Sequence, residues 1–276
     1  MFNKMKILLS IPRIKNLTSN VTLYAQKFIS LINKAEQGKR AYFLSSGLGL
    51  IYFLAFLSLS LELTGLFGQE GIRPISMFLS MLENRDISFL KVPSIFWVNN
   101  SDIFLKSMCY MGLISSALLT FGICSGLTAF LSWFLYLSFV NVGFPFLSFQ
   151  WDVLLLESGF LLLFLAPFKV FWKVSDELPY SKLAIITFRL LLFKLMFTSG
   201  LVKLFSDDHS WIGLTALNYH YLTQPLPHFL SWFFHLLPEW VDKVGVLFMF
   251  FIELVVPFGL FLSTKLRHYS ASLIAS

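Results

Sequence analysis

The sequence predicts an all-α protein, a polytopic transmembrane helical bundle of about six spans. Three observations predict it. Of 276 residues, 57% are hydrophobic and only 13% are charged, whereas a soluble domain carries charge on about a quarter of its residues. From Ser107 to Trp151 there is no Asp, Glu, Lys or Arg. At roughly 20 apolar residues per crossing, that run is long enough for two crossings and a turn. Finally, Lys and Arg flank the apolar runs instead of striping a soluble face, which fits orientation in a bilayer.

The elements follow in chain order. Residues 1–40 hold eight Lys or Arg against one acid, Glu36, and make a basic cytoplasmic N-terminal segment. They lack a compact apolar core ending in a small-residue cleavage site, so no cleavable signal is expected. Ala41 to Leu61 is uncharged and forms the first span. Residues 62–106 are an outer loop broken by Gly65, Gly68, Gly71, Pro74 and Pro93. Spans two and three fall near 107–124 and 127–147, with a turn at Ser125-Gly126. A fourth, near 153–168, stops at Pro167 and Lys169. A basic loop, 169–183, leads to the fifth span at about 184–205. A second outer loop, 206–240, is polar, aromatic and Pro-rich. The sixth span, about 244–263, ends before a short cytoplasmic tail, 264–276, that opens with Lys265, Arg267 and His268. The whole of 41–263 is one membrane bundle, with no internal repeat and no linker to a second domain.

Orientation is consistent across segments. Short loops rich in Lys and Arg stay cytoplasmic. With the N-terminus inside, loop 169–183 (Lys169, Lys173, Lys182) and the tail also fall inside. Loop 62–106, with five acids against four bases, falls outside. A single long helix over 107–147 would switch every later loop.

Several ionisable residues sit within expected spans, among them Glu157, Arg189, Lys194 and Glu253. Each costs at least about 2.5 kcal/mol at mid-bilayer, so each is expected to face the interior and seek a partner. Counting 1.5 Å per residue from the span ends puts Lys194 and Glu253 near the midplane. They are expected to form an intramembrane charge pair. Asp152, Glu157 and Lys203 share a depth at the outer side, while Arg189 reaches the inner interface. Such charges either lock helices together or serve as a proton path or a catalytic base.

The other polar concentration is 206–240, with Asp207, Asp208, His209, Asn218, His220, Gln224, His228 and His235. Trp211, Tyr219, Tyr221, Trp232 and Trp240 interleave with them. His228 to Leu237 reads as a short interfacial helix lying on the membrane. The histidines lack the close spacing of a zinc site, so no metal site and no cofactor are expected. Cys109 and Cys124 lack metal spacing and read as small packing residues. The net charge of +6 does not imply nucleic acid, because the bases flank spans. There is no phosphate loop, no G-x-S-x-G and no H-E-x-x-H. Hydrolase chemistry is not expected, and the partner these features call for is membrane lipid.

Four ordered segments carry a resemblance. FLSFQWDVLLLESGF (Phe146–Phe160) is followed by RLLLFKLMFTSG from Arg189, then by LVKLFSDDHSW and LTALNYHYLTQPLP up to Pro227. FIELVVPFGLF (Phe251–Phe261) closes the set, and GQEGIRPISMFL from Gly68 also fits. Together, over about 40–263, they resemble the lipase maturation factors. The residues carried over as a functional motif are Gln150, Trp151, Asp152, Glu157, Lys203, Trp211, His220, Gln224, Pro225 and Glu253. The resemblance implies a chaperone-like maturation role toward secreted client proteins, lipases above all. It implies the endoplasmic reticulum membrane in a eukaryote and the inner membrane in a bacterium. The family continues past the last motif, so a shortened form is expected here. The core is also distantly similar to the vitamin K-dependent carboxylase. There a Lys in a setting like Ser199-Gly200-Leu201-Val202-Lys203 is the base, although this chain has one Lys where the carboxylase has two adjacent. That makes Lys203 the candidate catalytic residue of an alternative, enzymatic reading. A proton or solute path through Lys194 and Glu253 is the third reading.

Overall fold

A computed structural model describes residues 12–176 and 182–275, with side chains from Gly38 onward apart from Lys182 and Thr264. The first eleven residues of the basic N-terminal segment, and 177–181 of the basic loop, lie outside the described residues. The chain forms two compact units, Met1–Ala184 and Ile185–Ser276. Among the described residues, five helices are long and apolar enough to cross a membrane. The protein is an all-α, multi-pass membrane protein.

In the first unit, α1 (Pro12–Phe67) contains the membrane-length stretch Gly38–Phe67. It begins earlier and ends later than the uncharged run Ala41–Leu61, because Glu62 tolerates a helical turn at the end of a span. The outer loop is partly helical, with α2 (Ile75–Glu83) and a 3₁₀ turn at Ile95–Trp97. Then come α3 (Asp102–Thr120), α4 (Ser125–Val142) and α5 (Gln150–Leu163). The charge-free run is therefore two helices. Gly122 and Cys124 both take positive φ between them, a conformation that ends an α-helix.

Small polar residues line the α3–α4 seam, where lipid provides no hydrophobic drive and close packing must hold helices together. The Ser115 and Ser132 hydroxyls lie 3.0 Å apart, and Ser116 bonds back to the Gly112 carbonyl at 2.8 Å.

The helix ends fall at two opposite ends of this unit. At one, Tyr42 packs edge-on against Trp172, and the Cys124 and Gly126 amides donate to the Val170 and Pro167 carbonyls. At the other, Phe67 meets Phe146, and Ser94 and Asn141 tie 93–94 to 138–141. Residues 150–166 thus run from the second end to the first. α5 has 14 residues, about 21 Å of helix, and lies where the fourth span is expected.

In the second unit, α6 (Lys182–Phe205) is followed by three short helices, α7 (His209–Ile212), α8 (Ala216–Thr223) and α9 (Ser231–His235). The expected interfacial helix 228–237 is thus only five residues long, since Pro225, Pro227 and Pro238 bracket it and proline removes the helical donor. α10 starts at Glu239, behind Pro238, and runs to Phe250. It continues through a π-helical turn, Phe251–Val255, and a 3₁₀ stretch, Val256–Phe261. The tail is a helix, α11 (Thr264–Ala275), which folds back onto that 3₁₀ stretch, with Ser270 buried beside Gly259.

Candidate functional site

Each unit holds one polar constellation. In the first, Asp152 sits in the opening turn of α5 and is buried. The Tyr136 hydroxyl donates to its Oδ1 at 2.6 Å, and the Phe149 amide donates to its Oδ2 at 3.0 Å. The second bond is half of a capping box: a side chain at the third helical position satisfies a donor the helix leaves free. Tyr52 stands edge-on to Tyr136 and donates to the Leu155 carbonyl at 2.8 Å. Gly159 is required there, because a Cβ would overlap the Tyr52 hydroxyl. Trp133 Nε1 donates to the Leu156 carbonyl at 3.1 Å. Every polar atom named has a partner within the protein, so the network fixes α5 against α1 and α4.

The second constellation centres on Lys203, in the last turn of α6, where the helix dipole favours a cation. Its Nζ donates to both carboxylate oxygens of Glu253, at 2.6 and 2.8 Å. The Trp211 ring lies 5.5 Å from the same ammonium, within cation–π range. The Lys and Glu side chains are 23% and 13% exposed.

The carboxylate expected to meet Lys194 is bonded to Lys203. The expected depths take α6 and the sixth span to end level, and they do not. The sixth span starts at Glu239, and its early turns pack on α8, with Gly245 against Leu217. Gly200 instead lies against Glu253 and Leu254, too close for a Cβ. Phe193 and Phe197 pack on Phe258, and Phe193 also meets Phe261. That register brings Lys203 to Glu253.

Pro257 explains why Glu253 reaches out of a helix. A proline ring clashes with the carbonyl four residues earlier, which here belongs to Glu253. The backbone widens instead, and the Val256 amide donates to the Phe251 carbonyl, a π-type bond. Such π turns are often found at functional sites.

Beside the pair lies a shallow cleft of about 310 Å³ lined by Asp208, Ser210, Trp211, Tyr219, His220 and Thr223. Asp208 caps α7, accepting from the Ser210 amide at 3.0 Å. The Ser210 hydroxyl and amide hold its carboxyl below the ordinary carboxylate range. Tyr221, stacked on Phe234, is pushed above its ordinary value by burial and then by Asp242. Gln224 Nε2 donates to the buried Ser231 Oγ at 2.6 Å.

The motif residues thus divide between the units. Gln150, Trp151, Asp152 and Glu157 lie on α5, with Gln150 and Trp151 exposed and Trp151 stacked on Phe149. Lys203, Trp211, His220, Gln224, Pro225 and Glu253 lie in the second unit. Of these, the structure brings Lys203, Trp211 and Glu253 together, and His220 lines the cleft that Trp211 shares. Tyr136, Tyr52 and Ser231 escaped notice in the sequence. A tyrosine in a charge-free span was the available signal, because its hydroxyl needs a partner in lipid. Among the described residues, no cluster of His, Cys, Asp or Glu could hold a metal ion.

The profile described as "Lipase maturation factor transmembrane domain" matches residues 39–276. The chain belongs to the lipase maturation factor family. It is 41% identical over 234 residues to lipase maturation factor 2 of Xenopus laevis, covering 81% of this chain and 33% of that protein. Lipase maturation factor 1 of Homo sapiens is 35% identical over 233 residues, covering 80% of this chain and 41% of the relative. Lipase maturation factor 2 of Homo sapiens is 38% identical over 227 residues, with 76% and 32% covered. This lipase maturation factor homologue therefore spans about a third to two fifths of the length of these relatives. No solved structure matches it.

Proposed function

We propose that this chain is the membrane-embedded part of a maturation factor that helps secreted lipases reach their active fold. The observation that carries the reading is the family match across both units, residues 39–276. Its membrane is that of the endoplasmic reticulum in a eukaryotic cell, or the cytoplasmic membrane in a bacterium.

The geometry of Lys203 supports a structural role over a catalytic one. A base must offer a lone pair to its substrate. Here the nitrogen donates to two carboxylate oxygens and faces an indole, which leaves it a linchpin between α6 and the sixth span.

The test is expression of the chain in cells whose own lipase maturation factor has been deleted, alongside a reporter lipase. Secreted lipase activity per unit of secreted lipase antigen should rise several-fold over the empty-vector control. If the chain accumulates in the membrane and that ratio stays flat, the proposal is wrong.

A further inference from the structure

Gln224 to Pro238 contains no Asp, Glu, Lys or Arg. Its large side chains point outward: Leu226 is 91% exposed, Phe229 76%, and Trp232 and Phe233 63% each. Leu236 is exposed as well. They surround the segment instead of forming one stripe, so it is not an amphipathic helix lying on its side. It is also too short to cross: fifteen residues would reach about 23 Å even as continuous helix, and only Ser231–His235 is helical.

Part of the backbone is satisfied within the segment, which matters in lipid, where each unpaired N–H is costly. Pro225, Pro227 and Pro238 have no donor to satisfy. The Ser231 amide donates to the His228 carbonyl, Phe234 to Leu230, Leu236 to Phe233 and Leu237 to Phe234. The Leu230 amide donates to His228 Nδ1 at 3.2 Å. Gln224 to Ser231, and the Tyr221–Phe234 stack, close the segment into a preformed finger.

Two features point to lipid as its occupant. The finger is anchored between two membrane-length helices, Leu183–Phe205 and Glu239–Phe261. Its apolar surface also runs on into the exposed stripe Trp240, Val244, Leu247, Phe248, Phe251 and Val255 of the sixth span, whose helical spacing makes one lipid-facing surface. A protein-docking site would be a groove with a polar rim; this is an exposed apolar segment without Asp, Glu, Lys or Arg.

We infer that residues 224–238 form a wedge inserted into one leaflet of the bilayer, with Trp232 and Phe233 at the level of the headgroup–acyl boundary. The wedge binds the lipid interface directly and needs no partner protein.

The experiment uses the full chain with Cys109→Ala and Cys124→Ala, reconstituted in phosphatidylcholine vesicles. A nitroxide is placed at Phe233→Cys, with an exposed control at Glu83→Cys. The label at 233 should be shielded from a water-soluble paramagnetic relaxant and open to dissolved oxygen, at a depth of about 5–10 Å below the headgroups. In parallel, the unaltered chain should show tryptophan quenching by brominated phosphatidylcholine that falls in Trp232→Phe. This second readout needs no cysteine replacement and stands if the labelled variants misfold. A label at 233 as open to the water-soluble relaxant as that at 83, or quenching unchanged in Trp232→Phe, overturns the inference. Shielding that develops only when a purified lipase is added overturns it in favour of a protein surface.

Discussion

Lys203 and Glu253 form the pair whose removal has the clearest consequences. Each is largely sheltered from water, so stripping one partner strands the other. Lys203→Met or Glu253→Gln should each lower stability in detergent by roughly 1–3 kcal/mol, discounted for partial exposure. The combination Lys203→Met with Glu253→Met should cost less than the two single changes added. Strict additivity in thermal unfolding would show that the two side chains do not interact. In the first unit, Tyr136→Phe should cost about 1 kcal/mol. Asp152→Ala, which frees both the Tyr136 hydroxyl and the Phe149 amide, should cost about 2–3 kcal/mol by the same measurement. Asp208 gives a pH effect of defined sign. Its folded carboxyl titrates below its ordinary value. Its contribution is therefore present above the unfolded value and is lost as pH falls through the folded one. Acidification below about pH 4 should alter Trp211 emission in the unaltered chain. The difference should vanish in Asp208→Asn.

At the scale of elements, the π turn at Phe251–Val255 is a device made by one residue. Pro257→Ala removes the clash with the Glu253 carbonyl and allows an ordinary α turn. Glu253 should then rotate away from Lys203. The measurable outcome is coupling: in a Pro257→Ala background, the double-mutant energy between 203 and 253 should drop by about 1 kcal/mol or more. Undiminished coupling would mean that the turn does not aim Glu253. The same element shows what a sequence can hide. Proline in FIELVVPFGLF is visible, yet the partner it selects depends on where α6 and the sixth span touch. That register is set by Gly200 and by Phe193, Phe197 and Phe258, which are contacts rather than spacings. The short helix at 231–235 is a milder case, since the bracketing prolines could have limited it to one turn.

For the whole molecule, the first unit makes a firm topological prediction. Glu83 and Lys173 lie toward opposite ends of it, because α3, α4 and 150–166 each cross from end to end. Single cysteines at 83 and 173 should therefore react with an impermeant thiol reagent from opposite sides of the membrane. We propose that the end carrying Lys169 and Lys173 faces the cytoplasm, as short basic loops do. Labelling of both from one side would refute the spanning role of α5. The chain should also stay with the membrane through alkaline extraction, as its charge-poor helices require lipid.

The residue order alone determined that this chain is helical, crosses a bilayer several times and belongs with the lipase maturation factors; it put the turn of the charge-free run at Ser125-Gly126, and the break falls just before it, at Gly122–Cys124. Those properties follow from runs of apolar residues and from ordered motifs, which are local or linear. Tertiary structure alone decided which charge meets which, which ends of the first unit residues 150–166 connect, and that Asp152 is satisfied by Tyr136. Helices in lipid find their register through close packing of small residues and aromatic rings, a fit between surfaces that no count along one chain contains.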